Sequence, residues 1–171
     1  SNFEGNKSRW AGAIYSSHNL TVIGSEFKSN SALTDYIGAG AIGVSNTNTI
    51  SVSKFLSNTT TAYGGAMYAL RSTINNSIFE QNSAANGGAL CFSNSTVNAS
   101  TFTGNNATNF GGAIHISDGT NYIYGSTFTS NSADRGGALF VNNGTTTVSG
   151  SIFSKNTTTV GGSAIQAGEG V

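Results

Sequence analysis

The side chains that could carry out acid–base chemistry are few in this 171-residue chain. Cleavage of a glycosidic bond uses a pair of carboxyl groups that lie within about 5–10 Å of each other. The candidate carboxylates are Glu4, Glu26, Asp35, Glu80, Asp118, Asp134 and Glu169. Whether any two of them converge depends on the fold that the remaining residues specify.

Metal and thiol chemistry have even fewer candidate ligands. The chain has two histidines, His18 and His115, and one cysteine, Cys91. One cysteine excludes an internal disulfide and a cysteine-based zinc site. The Gly-Gly-x-Gly-x-Asp repeat that binds calcium between solenoid coils does not occur in the sequence. We therefore expect no metal and no cofactor.

The overall charge excludes two classes of partner. Only 8% of the residues are charged, and the formal net charge is zero. Nucleic-acid binding depends on Lys and Arg that contact phosphates, and this chain has no basic cluster. No segment approaches the 18 or so consecutive apolar residues that a transmembrane helix needs. We expect neither nucleic acid binding nor membrane insertion of this segment.

Two motifs alternate along the whole chain and reveal an internal repeat. Four clean copies of Gly-Gly-Ala-aliphatic span residues 64–67, 87–90, 111–114 and 136–139, with looser copies elsewhere. The other motif is F-x-x-N, and its copies are 23 to 28 residues apart. It begins at Phe3, Phe27, Phe55, Phe79, Phe102, Phe128 and Phe153 and ends at Asn6, Asn30, Asn58, Asn82, Asn105, Asn131 and Asn156.

The pattern within one repeat predicts short strands and turns. Apolar and polar residues alternate after the Gly pair, as in Ile114-His115-Ile116, which is typical of a strand. A second strand centres on a Val or Ile five residues before Phe, and a third on S-x-F, with turn residues between them. Three strands in about 25 residues describe one coil of a solenoid. We predict an all-β, right-handed parallel β-helix of about seven coils, which forms a single repeat domain over residues 1–171.

The repeated positions have distinct predicted roles. The phenylalanines and aliphatic residues should form interior columns of like residues, because one coil cannot bury its own apolar side chains. The Asn of each F-x-x-N should lie at an inward bend and hydrogen-bond the Asn residues of adjacent coils. The Gly pair should mark a corner where the backbone is tight or φ is positive.

F-x-x-N followed by G-G-A-[I/L/V] resembles the repeat of the chlamydial polymorphic outer-membrane proteins, from Phe3 to Ile165. That family consists of autotransporters whose surface-exposed β-helical passenger mediates adhesion to host cells. The resemblance implies a stretch of such a passenger, located outside the cell at the cell surface. Its partner would be a receptor, either protein or glycan, on a host cell or another surface.

Several residues are candidates for contact with a partner. Tyr68, Cys91, His115 and Phe140 occupy one outward position in four adjacent coils. They form either an exposed binding surface or a column covered by a loop, a glycan or a neighbouring chain. Tyr36 lies in the longer turn of the second coil and is a further predicted contact residue.

The sequence also contains candidate modification sites. Nine N-x-[S/T] sequons occur, and the three at Asn6, Asn58 and Asn156 belong to F-x-x-N motifs and should point inward. The outward turns contain the better acceptors for N-glycosylation, which are Asn19, Asn94 and Asn143.

Three functions remain open at this point. The first is a non-enzymatic extracellular scaffold, namely a passenger segment of an adhesin. The second is a structural subunit that stacks with other copies into an extracellular filament, since neither terminus resembles a capping repeat. The third and most distant is a polysaccharide-active enzyme, but the repeat places Asp35 and Asp134 four coils apart, and no pair of carboxylates is arranged for acid–base work. We expect residues 1–171 to be a segment of a longer chain or a unit of a stacked assembly.

Overall fold

The computed structural model describes residues 1–33 and 38–168, and within these residues it consists of strands and turns without a helix. Every strand pairs in parallel with the equivalent strand of the next coil, so the chain forms a β-solenoid. Three sheets have seven strands and the fourth has six, which corresponds to six complete turns and part of a seventh. The predicted all-β parallel solenoid of about seven coils is confirmed.

Four sheets run along the solenoid, and we number them in the order in which the chain passes through them. Sheet 1 contains the F-x-x-N phenylalanines, and its strands are Asn2–Glu4, Glu26–Lys28, Lys54–Leu56, Ile78–Glu80, Thr101–Thr103, Thr127–Thr129 and Ile152–Ser154. The strands of sheet 2 are Lys7–Ser8, Ser31–Ala32, Thr59–Thr60, Ser83–Asn86, Asn106–Phe110, Ser132–Arg135 and Thr157–Val160.

Sheets 3 and 4 complete each coil. Sheet 3 follows the Gly-Gly-Ala motif, and its strands are Ile14–Ser16, Ile42–Val44, Met67–Leu70, Leu90–Ser93, Ile114–Asp118, Leu139–Val141 and Ile165–Ala167. Sheet 4 contains the Val or Ile that precedes each later Phe, and its strands are Leu20–Ile23, Asn48–Ser51, Ser72–Asn75, Thr96–Asn98, Thr120–Tyr124 and Thr145–Ser149.

Sheet 2 consists of one strand from each coil, and the sequence pattern did not predict these strands. Its segments are rich in Ser, Thr, Asn and Ala, which are residues typical of turns. They form strands because the same segment of the next coil lies alongside and supplies hydrogen-bond partners, as in the Asn106–Ser132 pair. Three predicted strands per coil are therefore corrected to four.

The interior is filled by columns of identical or similar side chains. The phenylalanines of sheet 1 stack face to face with centroid distances of 4.6 to 4.9 Å. The five central rings are fully buried, and they pack against aliphatic residues such as Ile114 of sheet 3 and Ile123 of sheet 4. This stacking adds to the free energy of burial, because offset aromatic pairs attract each other beyond their apolar area.

The corner between sheets 1 and 2 has the same geometry in all seven coils. The residue before each motif asparagine has a positive φ, between 52° and 64°. These residues are Gly5, Ser29, Ser57, Gln81, Gly104, Ser130 and Lys155. The left-handed residue turns the backbone so that the side chain of the following asparagine points into the coil. There it hydrogen-bonds the asparagine of the adjacent coil, as Asn105 does with Asn131.

The corner between sheets 2 and 3 explains both glycines of the Gly-Gly-Ala motif. Gly111 has φ of 64°, a conformation that L side chains rarely adopt. Its neighbour Gly112 has no such φ, but a Cβ there would stand 2.1 Å from the carbonyl oxygen of Gly137 in the next coil. The first glycine is thus needed for its conformation and the second for the close approach of adjacent coils.

Candidate functional site

The outward side chains of sheet 3 form one column along the solenoid. We call it the outer column; in coil order its members are Tyr15, Gly43, Tyr68, Cys91, His115, Phe140 and Gln166. A second column, the rim column, lies just before the Gly pair, and its members are Trp10, Gly38, Tyr63, Asn86, Phe110, Arg135 and Val160. The two columns face each other across the corner between sheets 2 and 3.

The middle of the outer column is buried, so of the two alternatives the exposed surface is wrong for Cys91, His115 and Phe140. Their exposed fractions are 1%, 7% and 5%. The rim column covers them, because the Phe110 ring lies 4.6 Å from Phe140 and 6.0 Å from His115. The Tyr63 ring adds a further contact with His115 at 6.3 Å. The outward face of sheet 3 therefore has a small apolar core of its own, which is the covered alternative that the sequence left open.

A cysteine and a histidine meet inside this cover. Cys91 Sγ lies 3.4 Å from His115 Nδ1. Burial raises the pKa of the Cys91 thiol to about 12 and lowers the pKa of His115 to about 4. Both shifts favour the neutral forms, whereas a nucleophilic cysteine needs its thiolate. This pair is thus suited to packing rather than to catalysis.

The cover ends at the third coil. Tyr68 is half-buried, and desolvation raises its pKa, with smaller effects from Cys91 and Tyr63. Beyond it, both columns have glycine in the second coil, Gly43 and Gly38. The missing side chains leave a cavity of about 210 Å³. We call this cavity the glycine notch.

Aromatic pairs flank the glycine notch on both sides along the solenoid. In the first coil, the rings of Trp10 and Tyr15 meet edge to face at 5.5 Å, and the two residues are 54% and 57% exposed. In the third coil, Tyr63 and Tyr68 form a similar pair at 6.4 Å. Ser45 and Leu70 complete the lining together with backbone and small residues. Among the described residues that line the cavity, none has a charged side chain.

The sequence reasoning missed Trp10, although a signal for it was present. Trp10 precedes the Ala11-Gly12 corner as Phe110 precedes Gly111, and an aromatic residue recurs at that position in several coils. Tyr36, the contact residue predicted in the longer turn, lies outside the described residues.

The other predicted positions lie away from the glycine notch. The motif asparagines and phenylalanines form the corner and the interior described above. The predicted glycosylation sites Asn19, Asn94 and Asn143 are all exposed, in the turns between sheets 3 and 4. Asn94 Oδ1 also accepts a hydrogen bond from the backbone amide of Thr120 at 3.3 Å. Glycosylation at these three sites stays a prediction.

The carboxylates that the structure describes are dispersed. Glu4 forms an ion pair with Lys28 at 2.8 Å, and this hydrogen bond raises the pKa of the lysine. Asp134 accepts a hydrogen bond from the hydroxyl of Thr159, while Asp35 and Glu169 lie outside the described residues.

Within residues 1–33 and 38–168, no three His, Cys, Asp or Glu side chains lie close enough together to hold a metal ion. The same residues contain no helix of the length and hydrophobicity that a membrane crossing requires.

Comparison with known families identifies the repeat. The Chlamydia polymorphic membrane protein repeat matches residues 76–93 and 99–117. The chain therefore carries repeats of this type, which confirms the resemblance, and such a repeat points to the passenger of an outer-membrane autotransporter. A search of curated proteins gave no match, and a search of solved structures gave none either.

Proposed function

We propose that this chain is a stiff segment of an extracellular adhesin passenger, which presents side chains on its outer surface to a receptor on a host cell or another surface. The observation that carries this proposal is the matched repeat within a continuous parallel solenoid. Each coil is tied to the next by backbone bonds in four sheets and by asparagine ladders, as between Asn82 and Asn105.

The physical properties of the solenoid suit a scaffold. With a strand spacing of about 4.8 Å, six turns extend about 29 Å along the axis. Equivalent outward positions of adjacent coils then form long regular columns, which is how solenoids generate extended binding surfaces. A net charge of zero leaves recognition to apolar and hydrogen-bonding groups rather than to long-range attraction.

The chemistry of the described residues also favours binding over catalysis. The cysteine–histidine pair, Cys91 and His115, is neutral and covered. The exposed aromatic residues Trp10 and Tyr15 instead resemble a contact surface, because exposed aromatic clusters often mark interaction sites.

A bead adhesion assay tests the proposal. Fluorescent beads coated with the folded chain are incubated with cultured epithelial cells, and bound beads are counted with and without excess soluble chain. Beads coated with the heat-unfolded chain and with albumin serve as controls. We expect adhesion only for the folded chain, and we expect the soluble chain to compete.

Two results would contradict the adhesin proposal. Adhesion no higher than that of albumin beads on any cell line tested would remove its basis. Filaments of the soluble chain in electron micrographs, without cell adhesion, would support the structural subunit of a fibre instead.

A further inference from the structure

We infer that the glycine notch is a binding site for one uncharged pyranose ring of a glycan, held between the aromatic pairs of the first and third coils. This inference names the ligand class of the proposed adhesin and rests on that function. The observation behind it is the coincidence of two glycines, Gly38 and Gly43, in one coil between residues that are aromatic in both flanking coils.

The backbone conformation of Gly43 does not require glycine. Its φ is not positive, unlike that of Gly64 in the following corner. A Cβ at Gly43 would lie 3.3 Å from the Ala11 Cβ and 3.5 Å from the Tyr15 ring, with no backbone atom closer than 4.0 Å. A Cβ at Gly43 therefore needs only a shift of the neighbouring side chain, and the effect of glycine is to keep the notch open.

The spacing of the notch suits a single ring. Residues two coils apart are separated by two strand spacings, or about 9.6 Å. The strands that carry Tyr15 and Tyr68 each lie about 4.8 Å from the strand of Gly43, so a ring above Gly43 has an aromatic residue on either side at about the spacing at which rings stack. The cavity of about 210 Å³ is below the 300 Å³ or so of pockets for drug-sized ligands, so it holds one ring rather than an extended molecule.

The polarity of the notch favours a sugar over an aromatic side chain. Its lining is mostly apolar, and three of the residues that border it, Tyr15, Tyr68 and Ser45, carry a hydroxyl group. Trp10 and Tyr15 are more than half exposed, so the edges of a bound ring would stay in water. A pyranose has apolar C–H faces and a hydroxyl-bearing edge, which matches this arrangement. The described residues of the lining are uncharged, which favours neutral hexoses over uronic or sialic acids.

Trp10 provides a direct readout because it is the only tryptophan of the chain and it borders the notch. The probes are the methyl glycosides of glucose, galactose and mannose, with glucuronic acid as a charged control. We expect at least one neutral glycoside to change the Trp10 fluorescence saturably, with a Kd on the order of 1 mM, as for a small single-ring contact. Saturation-transfer NMR then shows which ring face is in contact.

Two variants separate the notch from other aromatic surfaces. Gly43→Leu places a side chain in the notch and should weaken binding by at least about tenfold while the circular dichroism spectrum is unchanged. Tyr122→Ala removes an exposed aromatic ring from sheet 4 and should bind like the wild-type chain. Because Trp10 is retained in both variants, the same readout applies.

Three outcomes would overturn the inference. They are the absence of saturable binding for all neutral glycosides, equal binding by Gly43→Leu, and binding of N-acetyltyrosinamide but of no sugar. The first two outcomes would show that the notch is not a binding site. The third would show that its ligand is an aromatic peptide side chain and not a sugar. Since bead adhesion is measured independently, beads that adhere without any sugar binding would reject the notch and leave the adhesin proposal intact.

Discussion

The side-chain amide of Asn105 donates a hydrogen bond to Oδ1 of Asn131 in the next coil, at 2.9 Å. The same oxygen accepts the backbone amide of Asn105 at 3.0 Å, so one side chain serves two donors of its neighbour. The other amide hydrogen of Asn105 is donated to the carbonyl of Phe79 in the preceding coil. Each interior asparagine therefore links three coils, and no single coil can satisfy these groups alone.

Replacing Asn105 with Ala should destabilise the chain by about 3 kcal/mol or more. The change removes the acceptor of the Asn82 backbone and side-chain amides, which are buried, and each buried unsatisfied group costs about 1–3 kcal/mol. Urea denaturation followed by circular dichroism measures the effect. Asn6→Ala is the matched control: Asn6 is exposed, and the variant should lose less than about 1 kcal/mol.

Phe102→Ala should cost about 3–5 kcal/mol, because the ring is fully buried and its removal leaves a cavity between two other rings. Phe102→Leu keeps most of the volume and should lie between this variant and the wild-type chain. The same urea titration applies to both. A loss below about 1 kcal/mol for the Ala variant would mean that Phe102 does not pack in the interior column.

Two glycine-to-alanine changes should differ sharply. At Gly112 the new Cβ would meet the Gly137 oxygen at 2.1 Å, so adjacent coils must separate and the chain should be severely destabilised. Gly125 has φ of 53° but nothing within 4 Å of a Cβ. The free energy of unfolding of Gly125→Ala should therefore decrease only by about 1–2 kcal/mol, which is the cost of a left-handed conformation for an L residue. Thermal unfolding of both variants tests this, and equal losses would contradict the close approach of the coils.

The repeat made the interior columns predictable, because phenylalanine and aliphatic residues at fixed spacing have few alternatives to stacking in register. The serine of S-x-F was visible as a repeat, but its role was not. In the structure the Ser100 hydroxyl accepts the Ser77 backbone amide and donates to the Asn98 carbonyl. A similar ladder through Ser72, Ser95 and Asn121 escaped notice because its residue type changes from coil to coil.

The sequence pattern could not predict the glycine notch or the covered outer column, for a different reason. Whether His115 is exposed depends on the rim column, whose residues vary from Phe110 to Asn86, so that an aromatic residue recurs there in some coils only. Alternation within one strand shows which side chains point outward. It does not show which other segment covers them.

Cys91 should resist alkylation in the folded chain. Its thiol is buried, and burial raises the pKa to about 12, so the thiolate is scarce at pH 8. We expect iodoacetamide to react at least about 100-fold more slowly with the native chain than with the chain in urea. Thr73→Cys in a Cys91→Ala background places a thiol on the exposed face of sheet 4 and should react quickly in the native state. Rapid native reaction of Cys91 would mean that the cover formed by Tyr63 and Phe110 opens readily.

Stability should fall below about pH 6.5 because of His115. The unfolded chain takes up a proton at this residue near its ordinary pKa of 6.5, whereas burial lowers the pKa to about 4 in the folded chain. Between these values the unfolded state binds more protons, so the free energy of unfolding decreases as the pH falls. Over that window the loss amounts to about 3 kcal/mol, at 1.36 kcal/mol per pH unit. Above pH 6.5 this contribution is fully present and constant.

The two histidines allow the effect to be assigned. His115→Phe removes the titrating group and places in the outer column a residue that Phe140 already provides in the next coil. We expect the dependence of unfolding free energy on pH between 6.5 and 4 to be shallower in this variant than in the wild-type chain. His18 is exposed, and His18→Gln is the control for replacing a histidine elsewhere in the chain. Parallel pH profiles for His115→Phe and the wild-type chain would show that His115 is hydrated in the folded state, and the apolar cover of the outer column would then be incorrect.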